Sequence, residues 1–300
     1  MLEQRLEEMA AAEIEASPSQ PDIVRGEAHG DDRRYQQLVS DAVAAIKEGQ
    51  LGKVVLARSV TRGPVDVGKV LRSLRHRFPT CAVFAFGVGD RVFLGASPEP
   101  LVTLHGDRLT TVALAGTTGT DDDPAKDRAL AQAMASSTKI QAEHRFVVED
   151  IVDRLATLGL DADAQREPDV MRLARVQHLQ TAIEATIDRR RGEVGDMDVL
   201  RAANVLHPSP AVAGTPTPDA LTWINENEYL DRGWYAAPVG WCDLDGDGEL
   251  RVALRSALVD ADQVELFAGA GVVAGSDPSE ELAETAVKLR ALLDVMESAS

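Results

Sequence analysis

The sequence predicts an α+β fold built around one composite core, and three observations carry that prediction. Short runs rich in Val, Leu, Ala and Thr, cut by Gly, Asp or Pro, occur in both halves of the chain. Stretches with apolar residues at helical spacing are inserted between these runs, which favours one shared core over two independent domains. No fixed-period repeat or low-complexity tract breaks the pattern. With 300 residues, 44% of them hydrophobic, the chain is long enough to bury a sizeable core.

Residues 1–34 read as a polar arm or linker: an acidic amphipathic start, "MLEQRLEEMAAAEIEA", runs into "SPSQPDIVRGEAHGDDRR". The ordered body, residues 35–295, opens with "YQQLVSDAVAAIKEGQ". Leu38, Val39, Ala42, Ala45 and Ile46 there share a helical face, and the glycines of "EGQLG" stop the helix. "KVVLARSV", "CAVFAFGVG", "RVFLGAS", "LVTLHG" and "RLTTVALAG" predict an antiparallel meander, with one helix between Lys53 and Cys81. From Pro124 to about Leu158 the chain is Ala-rich and strand-poor, which predicts one long helix stopped by Gly159. "VMRLARVQHLQTAIEATI" is strand material, "DVLRAANVL" is helical, "HPSPAVAGTPTP" is a loop and "DALTWINENEYLD" is a helix. The stretch from Tyr235 to Ala274 predicts three strands joined by Asp/Gly turns. A last helix follows Pro278. It places Glu281, Glu284 and Lys288 on one stripe and Leu282, Ala286, Leu289 and Leu293 on an adjoining apolar stripe docked on the core.

A formal net charge of −18 opposes binding to nucleic acid or anionic lipid. Two cysteines, Cys81 and Cys242, are too few for a disulfide framework, and no apolar run approaches the length of a membrane span, so the chain reads as cytoplasmic. "DLDGDGE" starts like a calcium loop, but its twelfth position is Leu254 and both flanks are strand-like, so a hairpin turn without metal is expected. Lys53 opens a strand. Glu99 follows a proline at the end of an apolar strand, where a carboxyl can face a cleft with a raised pKa or simply close a turn. Glu143 lies on an otherwise apolar helical stripe, and His144 beside it reads as polar surface. His178 and Arg255 sit in apolar runs, and a buried Arg255 requires an anion.

The set "KVVLAR", "FLGASPE", "ALAGT", "KIQAEH", "QHLQT", "LHPSPAVAG", "RGWYAAPVGW", "VALRSA" and "AGAGVV" followed by "E..ET..K" resembles the chorismate-utilising enzymes over residues 35 to 293. Within that group, which includes anthranilate, aminodeoxychorismate and salicylate synthases, the wording is most similar to the isochorismate synthases. The resemblance implies large antiparallel sheets in one composite core with helices outside, as in the anthranilate synthase large subunit. It implies a Mg²⁺ ion held by Glu143, Glu281 and Glu284 against a substrate carboxylate. Lys288, Gly269, Gly271, Tyr235 and Arg255 would bind the anionic substrate, and Gly116, Thr117 and His178 the ring, with Ala115 beside them. Lys53 would be the base that activates water for attack at C2 and Glu99 the acid that protonates the leaving C4 hydroxyl. Such a base needs a lowered pKa near neutral pH.

The aminodeoxychorismate enzymes place a nucleophilic lysine where this chain has Ala115, and anthranilate synthases typically have a non-basic residue where it has Lys53, so water is the implied nucleophile. Chorismate is the implied substrate, with no amidotransferase subunit and a monomeric state expected. The implied product would feed menaquinone, siderophore or salicylate formation. A salicylate synthase, which adds pyruvate elimination, and a non-catalytic chorismate-binding protein are the alternatives. The chain departs from the pattern in its short N-terminal part, about fifty residues before "KVVLAR", and in Ile140, where some relatives carry an acid one turn before the ligand glutamate.

Overall fold

The computed structural model describes residues 29–121, 123–172, 176–187 and 197–299. Most of the expected polar arm lies outside these residues, and so do the side chains of Thr117 and Glu143. Helix α1 (His29–Lys47) begins six residues before Tyr35 and buries Tyr35, Leu38, Val39, Ala42 and Ile46. It ends where Gly49, at φ 80, turns the chain so that the Gln50 N–H donates back to Ala45 O.

Then follow β1 (Lys53–Arg62), α2 (Val67–Arg77), β2 (Ala82–Val88), β3 (Arg91–Ser97), β4 (Pro100–His105) and β5 (Arg108–Gly119), the expected strands with their single helix. They do not form the expected meander: β1 does not pair with β2, and β2–β3 and β4–β5 are hairpins in two different sheets, because the turn at Glu99 passes the chain from one sheet to the other. Next come α3 (Pro124–Ser136), α4 (Thr138–Ala156), β6 (Ala162–Ala164), β7 (Asp169–Arg172), β8 (Val176–Thr186) and α5 (Val199–Leu206). The last part holds β9 (Gly214–Thr215), α6 (Thr217–Asn227), β10 (Pro238–Cys242), β11 (Gly248–Val252), β12 (Ser256–Val259), β13 (Val264–Val272) and α7 (Pro278–Ala299).

One sheet has the order β2-β3-β12-β13-β1-β9, and the other has the order β10-β11-β4-β5-β8-β6 with β7 also on β8. Every pairing among the described residues is antiparallel. The core is composite, as predicted. One cluster combines Ala57 and Phe267 of the first sheet with Leu104, Leu109, Ile183 and Leu250 of the second, together with Leu155 and Leu206 from helices. Helices α1 and α6 cover β1 through Tyr35, Leu38, Ala220 and Ile224, while α2 and α7 cover β12 and β13 through Val70, Leu74, Leu289 and Leu292.

Three further expectations change. The long helix after Pro124 is two helices, because Ser137 leaves the helical region (φ −71, ψ 113) and its hydroxyl caps the Ile140 N–H. The run Ser136, Ser137, Thr138 offers the backbone side-chain partners that compete with helix continuation. The stretch from Tyr235 gives four strands. Arg255, at φ 48, breaks the run, so β11 stays in the second sheet while β12 crosses to the first. On α7, Ala286 is exposed and Thr285 takes its place on the docked face with Leu282, Leu289 and Leu292. "DLDGDGE" closes the β10–β11 hairpin, with Asp243 Oδ1 accepting from the N–H groups of Asp245 and Asp247.

Candidate active site

The change of sheet at Arg255 opens a seam. β1 runs beside β13 as far as Val272, pairing Ala57 with Gly269 and Val55 with Gly271. On the other side β12 accompanies β13 only from Val264 to Leu266. Into the stretch beyond comes Lys288 from α7, whose Nζ donates to Gly269 O at 2.8 Å and pairs with Glu284 at 2.7 Å.

Lys53 lies across the same strand. A Cβ on Gly271 would stand 2.8 Å from Lys53 Cε and 3.4 Å from its Nζ, so the bare glycine gives the lysine its path. Gly269 plays a matching part, since a Cβ there would meet the Tyr235 hydroxyl and Leu56 O, each at 3.0 Å. Tyr235 is buried, with its ring stacked on Phe267 at 5.5 Å. Because Lys53 is flexible at its far end, Gly271→Ala is expected to fold normally but displace the amine. Its circular dichroism spectrum and melting curve should match wild type while turnover falls about tenfold or more.

Glu99 sits in the turn between β3 and β4. Its N–H donates to Ser97 Oγ at 3.2 Å and its carbonyl accepts from Val252 N–H at 3.0 Å, which fixes the turn from both sides. Burial pushes the carboxyl pKa up to about 7, against the opposing charges of Lys288, Lys53 and Arg255. Three cations therefore act electrostatically on one carboxyl. Arg255 does not meet the structural anion its burial would require: it is only half-buried, its guanidinium lies 5.8 Å from the Phe78 ring centre, and Nη1 is 3.8 Å from Cys81 Sγ. Among the described residues no carboxylate pairs with it.

On the second sheet, the β5–β8 register shifts between Ala115 and Thr117, and Gly116 fills the bulge at φ 75. A Cβ on Gly116 would collide with Ile140 Cγ2. That packing is what the isoleucine provides at this position. His178, opposite Thr117, hydrogen-bonds the Gly116 backbone. Its pKa is lowered mainly by burial, with Lys288 lowering it further and Glu284 opposing, so the ring stands within the field of the α7 stripe. His144 is not polar surface. It is 3% exposed and places Nε2 2.7 Å from Thr181 Oγ1, because α4 packs that side against β5 and β8.

Asp277 precedes helix α7 and caps it, its Oδ1 accepting from the Ser279 and Glu280 N–H groups. Glu281 is half-buried. Burial raises its pKa, a hydrogen bond with Ser276 opposes this, and the charge of Glu284 raises it again. Among the described residues no three His, Cys, Asp or Glu side chains form a cluster able to hold an ion. The third expected ligand, Glu143, lies outside that comparison because its side chain is not described.

Three residues that support this stripe escaped the sequence reading. Arg58 is 5% exposed, with Nε donating to Thr285 Oγ1 at 2.7 Å and Nη1 to Asp32 at 2.9 Å, over the ring of the fully buried Tyr35. The acidic helix, β1 and α1 are thereby tied together. The available signal was alternation, since Arg58 falls on the apolar Val54–Leu56 face of β1, where an arginine needs partners.

The chain belongs to the chorismate binding enzyme family, which matches residues 1–297. It is 42% identical over 283 residues to the salicylate biosynthesis isochorismate synthase of Pseudomonas aeruginosa, covering 93% of this chain and 58% of that protein. Among solved structures it is similar to the menaquinone-specific isochorismate synthase MenF of Escherichia coli, with a TM-score of 0.82 at 32% identity over 98% of this chain and 68% of that one. Anthranilate synthase component I of Streptococcus pneumoniae matches with a TM-score of 0.79 at 25% identity, covering 97% of this chain and 64% of that one, in line with the fold expected from the sequence. The chain thus spans a little over half the length of the Pseudomonas relative. No helix among the described residues is long and apolar enough to cross a membrane.

Proposed function

We propose that this chain converts chorismate to isochorismate, with Lys53 as base and Glu99 as acid. The observation that carries the reading is the Glu99 carboxyl: raised to about 7, it holds a proton near neutral pH within the field of Lys53, Lys288 and Arg255. Lys53 takes a proton from water as its oxygen bonds to C2. The ring double bonds shift, and the C4 hydroxyl leaves as water with the proton from Glu99. One water enters and one departs.

The substrate is a dianion, and the seam is cationic where it would lie. Gly269 and Gly271 admit it without Cβ contact, Tyr235 and Arg255 meet the enolpyruvyl carboxylate, and Gly116, Thr117 and His178 border the ring. Ala115 offers no amine, which favours water as nucleophile. Glu281 and Glu284, one turn apart with Glu281 destabilised as an anion by burial and by its neighbour, suit a hard dication that accepts oxygen ligands. Those two with Glu143 would hold Mg²⁺, which when bound would neutralise the ring carboxylate.

The reading is tested by chorismate and Mg²⁺ incubations with the products separated, repeated across pH. Turnover is expected to fall as pH rises through about 7, as Glu99 ionises in the free enzyme. A kcat/KM rising steadily from pH 6 to 9 removes Glu99 as the acid. Stoichiometric pyruvate with salicylate, and no accumulating isochorismate, makes the chain a salicylate synthase. Chorismate binding without any product makes it a binding protein.

A further inference from the structure

Among the described residues, a strand pairs with β1 on its second side only at Lys53 and Val54, where β9 lies, and the Val55 N–H then donates to Ala213 O at 2.8 Å. Side chains close the edge beyond. Glu228 Oε2 accepts from Ala57 N–H at 2.9 Å, and Arg232 Nη2 donates to Val55 O at 2.7 Å. The two side chains form a bidentate pair, Nε to Oε1 at 2.6 Å and Nη2 to Oε2 at 2.7 Å. Glu228 is 1% exposed and Arg232 19%. Desolvating both charges is costly, and an apolar pair of similar volume would commonly be at least as stable, so stability alone does not account for ions here.

The pair also reaches the site. Arg232 O accepts from the Tyr235 N–H at 2.8 Å, and the Tyr235 hydroxyl then ends beside Gly269. The fork of Arg232 is thus bonded to β1 at Val55, while its backbone holds the turn that delivers Tyr235.

We infer that the Glu228–Arg232 pair is a positioning device, which fixes the Tyr235 hydroxyl relative to Gly269 and the Lys53 strand so that the substrate carboxylate meets it in one place. This rests on the role given to Tyr235 under the proposed function. Arg232→Lys keeps the charge but loses the fork, and Glu228→Leu/Arg232→Met replaces the pair with apolar groups. Both are expected to raise KM for chorismate about tenfold with kcat within about threefold, and the double variant is expected to melt at or above the wild-type temperature. A double variant that regains both its melting temperature and its KM overturns the inference, since the pair would then only stabilise.

A second readout needs no turnover. The chain has three tyrosines, so a 3-fluorotyrosine-labelled protein gives a ¹⁹F resonance that Tyr235→Phe assigns. That resonance is expected to shift and broaden in folded Arg232→Lys, and an unchanged line overturns the inference. A shifted line in a protein whose wild type leaves chorismate untouched would sustain the inference and sink the proposed reaction.

Discussion

Glu281→Gln is expected to abolish Mg²⁺-dependent turnover while leaving the fold intact, and Glu284→Gln to do the same. Each substitution removes one carboxylate charge from a stripe that a hard dication would neutralise, and amide oxygens are weaker ligands for such an ion. Loss of fold is not expected. Glu281 is destabilised as an anion by burial and by Glu284, so an amide relieves strain there, and Glu284 is exposed with Lys288 as its partner. The docked face of α7, carried by Thr285, Leu289 and Leu292, is untouched. A Mg²⁺ titration of turnover and of intrinsic tryptophan fluorescence reads the effect, with rates falling by about 10² or more at saturating metal. Wild-type rates at low Mg²⁺ in both variants would take these glutamates out of the site.

Glu99→Gln is expected to lose turnover and gain stability together. The general acid contributes about 10² to 10⁴ in rate, and an amide has no proton of suitable acidity to give. The stability gain follows from the sign of the shift. The folded-state pKa of about 7 lies above the reference value of 4.5, so the native state holds a proton that the unfolded chain has lost between those pH values. The stability this group lends therefore falls as pH rises from 4.5 to 7, by up to about 3 kcal/mol, and stays lost above. Gln does not ionise and escapes that loss. Urea melts at pH 5 and pH 8 should show Glu99→Gln close to wild type at the lower pH and more stable at the higher one. Lys53→Ala is the partner test: chorismate binding is kept and the chemical step is lost, because a base acts chiefly in the transition state. Turnover within a few-fold of wild type would place the base elsewhere.

Much of this architecture was legible in the sequence because the signals were local. Period-two runs cut by Gly and Asp gave the strands, and Gly49 and Gly159 marked helix ends that the backbone needs at positive φ. The misread points are ones that apolar periodicity does not carry. Ser137 breaks a helix whose apolar spacing is continuous on both sides. Arg255 redirects the chain between sheets, and nothing in "VALRSA" announces the left-handed turn. Thr285 outranks Ala286 on α7 because Arg58, distant in sequence, is bonded to it.

The site residues became legible through the order and wording of their motifs more than through any single spacing. Lys53, Glu99, Gly269, Gly271, Tyr235 and Lys288 come from five separate elements and turns, and only the seam where β12 leaves β13 brings them together. His144 shows the limit of local reading, since helical periodicity gave its side but not the β8 threonine that receives it.

The most direct measurement of the proposed chemistry is the fate of solvent oxygen. With chorismate and Mg²⁺ in H₂¹⁸O, attack by water at C2 predicts isochorismate carrying one ¹⁸O, located at the C2 hydroxyl by fragmentation in the mass spectrometer. Unlabelled isochorismate would mean that the hydroxyl migrates within the substrate, and would contradict the assignment of Lys53 as base on the entering water and Glu99 as acid on the departing C4 hydroxyl.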